Sequence, residues 1–143
     1  MTALDVVRAH YAASERGDLE GMLAVLAPDA RWTEAAGSAY GGTYFGVDAI
    51  RENVFQRIGA EWVSFSANVS ELLDAGDVVV ALGEYVGVHR GTGKAMTARF
   101  THVWRVADDR VAEGRVTEGR VTEGRVTAFE QVADTALIRA AEV

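Results

Sequence analysis

The segment from residue 94 to residue 106 is the feature that most constrains how this chain folds. Every second residue of its central part forms one series: Met96, Ala98, Phe100, His102 and Trp104. Because successive side chains of a β-strand point to opposite faces, this series predicts a strand with one apolar face. The single polar group on that face is an imidazole. His102 is therefore predicted to be either a core residue whose ring nitrogens have partners or a polar group at a ligand site.

A second ionisable group has a similar setting. Trp32 and Glu34 lie two residues apart, on one face of a short predicted strand over residues 31–34. A carboxylate beside an indole is costly to bury unless it is paired or used. Two interpretations follow for Glu34 and His102. Either both line a cavity and act on the molecule it holds, or they hydrogen-bond to each other as a buried structural pair.

Length and composition limit the kinds of protein this chain can be. Its 143 residues, 49% of them hydrophobic, suffice for one domain with its own core and are too few for two. The chain has no cysteine, which excludes disulfides, thiolate metal sites and a cysteine nucleophile. The net charge is −7 with no cluster of Lys or Arg, so neither nucleic acid nor an anionic membrane is an expected partner. A small molecule or another protein is expected instead.

Targeting and cofactor signals are also missing. No apolar run of about 18 residues and no basic leader is present, so we expect a soluble, cytoplasmic protein without a membrane span. The three histidines, at positions 10, 89 and 102, show no metal-ligand spacing, and no glycine-rich phosphate loop is found. We therefore expect neither a metal nor any other cofactor.

The periodicity of the chain divides it into a helical part and a strand part. Thr2 is predicted to cap a first helix, Asp18 a second helix that ends near Pro28, and Asp48 to lie in the first turn of a third. Residues 35–46 are predicted to be a glycine-rich loop with aromatic tips. From Trp62 the period changes to two, which predicts long antiparallel strands. This order indicates an α+β fold in which a sheet curls around the helices.

A tandem repeat interrupts the strand part. Residues 110–124 read RVAEG, RVTEG and RVTEG, and a diverging fourth copy starts at Arg125. Since the period is odd, the valines would alternate between faces, so the repeat cannot form one flat amphipathic strand. We expect residues 110–124 to be an insertion in the last hairpin of a single domain over residues 1–143. An inserted length of strand, or strand exchange between subunits, remains the alternative.

Several strings of the sequence resemble one known superfamily. They are Tyr11, GDL at 17–19, YFGVDAIR at 44–51, HVWRV at 102–106 and RVTAFEQ at 125–131. Together they are similar to the nuclear-transport-factor-2-like (NTF2-like) superfamily, in particular its SnoaL-like branch, which is related to polyketide cyclases and ketosteroid isomerases. The resemblance implies a cone-shaped fold. In such a fold a strongly bent antiparallel sheet wraps an N-terminal helical hairpin and a third helix, leaves an apolar cavity, and forms a homodimer through the sheet.

The resemblance also implies roles for single residues. Glu34 stands where the isomerases have their catalytic Asp, but His10 and His102 replace the Tyr and the protonated Asp of their oxyanion hole. The cyclases have a His at the position of His102 and a catalytic Asp at that of Gln131, and Gln cannot act as a base. Neither mechanism is therefore copied here. Known members include isomerases, cyclases, dehydratases, epoxide hydrolases and noncatalytic ligand-binding domains, so the fold does not name a reaction.

The expected site combines these arguments. Its catalytic residues are predicted to be Glu34, His102 and Gln131, acting by proton transfer next to a carbonyl or by water activation on a small apolar substrate. The residues predicted to contact that substrate are His10, Tyr11, Trp32, Tyr44, Phe55 and Trp104. The alternative is a noncatalytic module that binds a small hydrophobic ligand or only dimerises.

Overall fold

The computed structural model describes residues 1–108 and 124–143. The helices are α1 (Ala3–Glu15), α2 (Leu19–Ala24), α3 (Val47–Ile50), α4 (Gln56–Glu61) and α5 (Thr135–Glu142), with a π-helical turn (Arg51–Phe55) between α3 and α4. The strands are β1 (Leu26–Glu34), β2 (Gly42–Phe45), β3 (Trp62–Ala75), β4 (Val78–His89), β5 (Ala95–Asp108) and β6 (Gly124–Ala133). The predicted repeat conformation, apart from Gly124 in β6, lies outside the described residues.

Local signals place the first two helices. The hydroxyl of Thr2 accepts a hydrogen bond from the Asp5 N–H at 3.1 Å, and the Asp5 carboxylate accepts one from the Thr2 N–H at 3.0 Å. This reciprocal capping box satisfies two N–H groups at the start of α1. The Asp18 carboxylate accepts from the Gly21 N–H at 2.9 Å and caps α2. The caps predicted at Thr2 and Asp18 are therefore confirmed.

Three boundaries differ from the prediction. Helix α2 ends at Ala24, and Pro28 lies inside β1, where the register between β1 and β6 shifts and a missing N–H is tolerated. Residues 42–45 of the predicted loop pair with β1 as strand β2. The C-terminal helix α5 was not predicted, although the Asp134 carboxylate caps it by accepting from the Leu137 N–H at 3.3 Å.

The six strands form one sheet in the order β2-β1-β6-β5-β4-β3. All neighbours are antiparallel except β1 and β6, which are parallel. The expectation of a wholly antiparallel sheet is therefore wrong for this one pair. The parallel pair brings Trp32 of β1 opposite Phe129 of β6, and the next pair brings Gln131 of β6 opposite His102 of β5. The sheet thus joins segments that are far apart in sequence.

Helix α1 lies across four strands of the sheet. It contacts β3, β4, β5 and β6, whose outer members are separated by three interstrand spacings of about 4.8 Å. With 13 residues, α1 is about 20 Å long and can span all four. No helix in the two described ranges is long and apolar enough to cross a membrane.

Gly83 of β4 offers a test of this packing. A Cβ at this position would clash with the backbone oxygen of Asn68 and lie 2.8 Å from the ring of Phe100, so Gly83→Ala is expected to cost about 1–3 kcal/mol of unfolding free energy. Gly59 in α4 is the control, because a Cβ there meets nothing within 4 Å. Gly59→Ala is expected to stabilise by roughly 0.5–1 kcal/mol. Urea unfolding of both variants measures the two effects. If both substitutions changed the unfolding free energy in the same direction, the close packing around Gly83 would be contradicted.

Candidate functional site

A cavity of about 340 Å³ lies between α1, the segment from the π turn to α4, and the face of the sheet on which α1 packs. Its wall is mostly aromatic and aliphatic, and among the described residues no Lys or Arg contributes to it. The polar side chains that line it are those of His10, Tyr11, Ser14, Glu34, Ser64, Tyr85, His102 and Gln131. Among the residues that the structure describes, the only acidic group on this wall is therefore the carboxyl of Glu34.

Glu34 ends strand β1 and is 5% exposed. Burial raises the pKa of its carboxyl to about 7, and the nearby Trp32 indole N–H opposes that rise. The charged form is disfavoured because the surroundings solvate it less well than water does. A carboxyl that titrates near neutrality can both accept and return a proton at physiological pH.

His102 sits at the centre of a hydrogen-bonded cluster. Its Nδ1 lies 2.6 Å from the Tyr11 hydroxyl, and its Nε2 lies 2.7 Å from the Tyr85 hydroxyl. The ring stacks on Phe100 with centroids 3.9 Å apart. Burial, with a smaller contribution from His10, lowers the pKa of His102 well below its ordinary value. His102 is therefore a neutral imidazole with both nitrogens in hydrogen bonds.

The cluster extends in both directions from His102. On the α1 side, the Trp104 indole N–H donates to the Tyr11 hydroxyl at 2.8 Å. On the β6 side, the Tyr85 hydroxyl donates to the Gln131 side-chain oxygen at 2.6 Å, and the Gln131 side-chain amide donates to the Glu34 carboxylate. Glu34 and His102 are thus connected through two intermediates rather than by a direct hydrogen bond. The direct hydrogen bond considered for Glu34 and His102 is replaced by a series of hydrogen bonds through Gln131 and Tyr85.

His10 is a second neutral imidazole on the wall. Its Nδ1 lies 3.0 Å from the Met22 backbone oxygen, to which it donates, and burial lowers the pKa of the ring to about 4. The centroids of His10 and Trp104 are 4.6 Å apart. Since Nδ1 carries the hydrogen, Nε2 is an acceptor, and no described residue donates to it.

Trp32 is held rigidly beside Glu34. Its ring stacks on Phe129 at 3.8 Å with an interplanar angle of 21°, and its edge contacts Phe55 and Trp104. The side chain is 4% exposed, and its indole N–H has no hydrogen-bond partner within the described part of the chain. An unpaired buried donor is unusual in a native structure. The acceptor that this N–H affects is the Glu34 carboxyl, whose pKa it lowers.

Comparison with known proteins identifies the family. The family model for the SnoaL-like domain matches residues 7–114. The chain belongs to the SnoaL-like family. The crystal structure of an NTF2-like protein from Burkholderia thailandensis E264 is similar over 100% of this chain and 98% of that chain, with 40% identity and a TM-score of 0.85. These matches confirm the family resemblance and the fold class predicted from the sequence.

More distant structures share the fold of this SnoaL-like chain. TerC, co-crystallised with polyporic acid, is 23% identical and has a TM-score of 0.77, with coverage of 98% of this chain and 97% of TerC. IdmH from Streptomyces antibioticus, a candidate polyketide cyclase, is 22% identical with a TM-score of 0.72, covering 99% and 98% of the two chains. No curated protein matches the chain. At these identities the likeness to the two structures shows a common fold alone and does not bear on the reaction.

The SnoaL-like structure brings most of the predicted site residues to one cavity. Those on its wall are Glu34, His102, Gln131, His10, Tyr11, Trp32, Phe55 and Trp104. Tyr44 does not line it, which corrects the prediction of a substrate contact. Its hydroxyl donates instead to the backbone oxygen of Tyr40 at 2.7 Å and fixes the connection between β1 and β2.

Tyr85 is the member of this hydrogen-bonded cluster that the sequence alone did not single out. Its hydroxyl bridges His102 and Gln131, and the side chain is buried on the inner face of β4. Gly83 and Gly87 flank it on that same face, where added Cβ atoms would meet neighbouring atoms at less than 3 Å. A large aromatic residue between two glycines at alternate positions of a strand was therefore the available signal.

The ionisation of Glu34 predicts a pH-dependent stability difference between the native SnoaL-like chain and its Glu34→Gln variant. The pKa of Glu34 is raised from 4.5 to about 7 on folding. As pH rises from 4.5 to 7, the unfolded chain loses this proton first, so the native protein loses unfolding free energy. The expected loss relative to Glu34→Gln is roughly 3 kcal/mol, fully present above pH 7 and absent below pH 4.5.

Urea unfolding of both proteins between pH 4 and 8 measures this difference. His10, with its pKa lowered from 6.5 to about 4, has the opposite effect, since stability rises as pH increases through that window. Because both proteins contain His10, its contribution cancels in the difference. A stability difference that stays constant with pH would show that Glu34 titrates normally.

Proposed function

We propose that this chain catalyses cofactor-independent proton transfer on a small, largely apolar molecule that carries a carbonyl group. The observation that carries the proposal is Glu34, a buried carboxyl whose pKa lies near 7 on the wall of a mostly aromatic cavity. A base in such surroundings is matched to proton abstraction at neutral pH. The cavity volume of about 340 Å³ is in the range of small-molecule sites.

The proposed reaction uses the residues around Glu34 in distinct roles. The Glu34 carboxylate takes a proton from the carbon next to the carbonyl, and the electron pair of that C–H bond moves onto the carbonyl oxygen. The Gln131 amide has a second N–H that no described residue accepts, and we assign it to this oxygen. Glu34 then returns the proton at another atom. A donor already directed at this oxygen when the proton moves is more effective than water, which must first reorganise.

The charge of the wall defines the substrate class. Among the described residues the wall carries no cation, and His10 and His102 are neutral near pH 7. A bound carboxylate or phosphate would therefore face Glu34 without a counter-charge, which is unfavourable in low dielectric. Neutral carbonyl compounds fit this wall. TerC, co-crystallised with polyporic acid, and the candidate cyclase IdmH support a small organic ligand, without specifying its charge.

A matched pair of ligands tests the substrate class. We expect a neutral aromatic ketone to bind at least about tenfold more tightly than the same ketone bearing a carboxylate, since removing one uncompensated repulsion contributes about 1.4 kcal/mol or more. The fluorescence of Trp32 and Trp104, both on the wall, follows binding. The comparison is made at pH 8, where Glu34 is ionised. Equal affinities, or a preference for the carboxylate, would contradict the proposed ligand class.

Binding without catalysis is the second candidate function. It is favoured by the partners of His102 and Gln131, because a chain of satisfied hydrogen bonds also serves a purely structural purpose. In that case the cavity holds its ligand, but Glu34 transfers no proton. The effect of Glu34→Gln on turnover separates the two functions.

A further inference from the structure

When Glu34 is ionised, donor and acceptor are fixed at every hydrogen bond that links it to His102. A carboxylate only accepts hydrogen bonds, so Gln131 turns its amide nitrogen toward Glu34 and its oxygen toward Tyr85. Tyr85 therefore uses its single hydroxyl hydrogen on Gln131. Its oxygen remains free to accept from His102, 2.7 Å away.

This direction determines the state of the imidazole. Nε2 of His102 must carry the hydrogen that Tyr85 accepts, so Nδ1 of the neutral ring carries none. Nδ1 then accepts from the Tyr11 hydroxyl at 2.6 Å, while the Tyr11 oxygen accepts the Trp104 indole N–H at 2.8 Å. Tyr11 lines the cavity but has no hydrogen left for a ligand.

We propose that Glu34 sets the tautomer of His102 through Gln131 and Tyr85, and that the site offers the Tyr11 hydroxyl hydrogen to a ligand only when Glu34 is protonated. His102 is then a positioning residue for Tyr11 rather than a catalytic group. The inference rests on the proposed function, because it assigns Tyr11 to the ligand of the same cavity. The distances between the six side chains carry it.

The protonated state reverses every hydrogen bond between Glu34 and Tyr11, while the Trp104 indole N–H still donates to the Tyr11 oxygen. The Glu34 O–H donates to the Gln131 oxygen after the amide turns over, the Gln131 amide donates to Tyr85, and Tyr85 donates to Nε2 of His102. The ring keeps one proton, since it gives the Nε2 proton to water and takes one from water at Nδ1. Nδ1–H then donates to the Tyr11 oxygen, which leaves the Tyr11 hydrogen for the carbonyl oxygen of a ligand.

Glu34 is the group whose charge changes in this cluster near neutral pH. The titratable side chains that share the cavity with it are His10 and Tyr11 on α1, Tyr85 on β4 and His102 on β5. Burial lowers the pKa values of both histidines and raises those of both tyrosines, so all four are neutral around pH 7. Tyr40 lies on the other side of Glu34, and burial raises its pKa as well.

The tautomer of His102 can be read directly from the ¹⁵N chemical shifts of its ring nitrogens. In the native protein we expect hydrogen on Nε2 above pH 7 and a shift toward hydrogen on Nδ1 as pH falls through the titration of Glu34. In Tyr85→Phe the link is broken, and the tautomer is expected not to follow Glu34. Tyr40→Phe is the matched control, since it removes another buried hydroxyl, bonded to Glu61 at 2.6 Å, and should keep the native response.

Two outcomes would overturn the inference. One is hydrogen on Nε2 throughout the titration of Glu34, which would mean that Glu34 takes its proton on the oxygen that Gln131 does not contact. The other is a native-like tautomer response in Tyr85→Phe. The titration of the native protein needs no variant to fold and no substrate. A failure of the proposed catalysis would instead appear as unchanged turnover in Glu34→Gln, so the two failures are distinguishable.

Discussion

Replacing Glu34 with Gln is expected to reduce turnover by about 10²–10⁴-fold once a neutral carbonyl substrate has been found. Gln has nearly the same shape as Glu but cannot accept a proton. The variant retains a side-chain amide and oxygen at the position that Gln131 contacts, so ligand binding should change much less than the catalytic rate. Such a change lowers kcat with little effect on the substrate affinity.

The control for this variant is Glu84→Gln. Glu84 is exposed on β4, on the face of the sheet opposite to the cavity, and the substitution is chemically identical. Turnover should be unchanged. The decisive measurement is kcat at pH 8 for the native protein and both variants, with unfolding curves to confirm that each is folded. If Glu34→Gln keeps native turnover, the chain is a binding module or uses a different base.

Replacing Phe129 with Ala is expected to cost about 3–5 kcal/mol of unfolding free energy. Phe129 is 2% exposed and stacks on Trp32 at 3.8 Å, with Trp104 and His102 at centroid distances of 4.6 and 4.9 Å. Removing the ring opens a void between β1, β5 and β6 and also releases one face of Trp32. Since Trp32 positions its indole beside Glu34, ligand affinity should fall as well.

Phe45→Ala is the matched control for Phe129→Ala. Phe45 lies on edge strand β2 and is 67% exposed, so the same chemical change there should alter stability by about 0.5 kcal/mol or less. Urea unfolding of the two variants gives both numbers under one condition. A small effect at Phe129 would mean that the stack on Trp32 is not part of the core.

The periodicity of the sequence predicts the central strands well, because alternation survives wherever one face of a strand is buried. Met96, Phe100 and Trp104 all lie on the buried face of β5, as their spacing indicates. Glu34 and His102 could be singled out because a lone ionisable group in an apolar series is conspicuous. What the series cannot show is that these two residues are joined only through side chains of β4 and β6.

The misplaced elements were those that depend on which segments of the chain pair with each other. Strand β2 exists because residues 42–45 pair with β1, and its own composition of Gly, Thr, Tyr and Phe among glycines resembles a loop. Tyr44 looked like a cavity residue because it is aromatic, but its hydroxyl is used by the Tyr40 backbone. Such partners are set by tertiary pairing, which local composition does not encode.

The parallel pairing of β1 with β6 has a consequence for the order in which this protein is made and folded. Leu26 and Val126 are register partners although they are about 100 residues apart, so closing this pair orders a very large loop. Contacts of such long range form late and slow the overall folding rate. Since Glu34 and Gln131 meet through these strands, a nascent chain on the ribosome holds the carboxyl without its amide partner. The hydrogen bond from Gln131 to Glu34 thus forms only after synthesis has delivered the last strand.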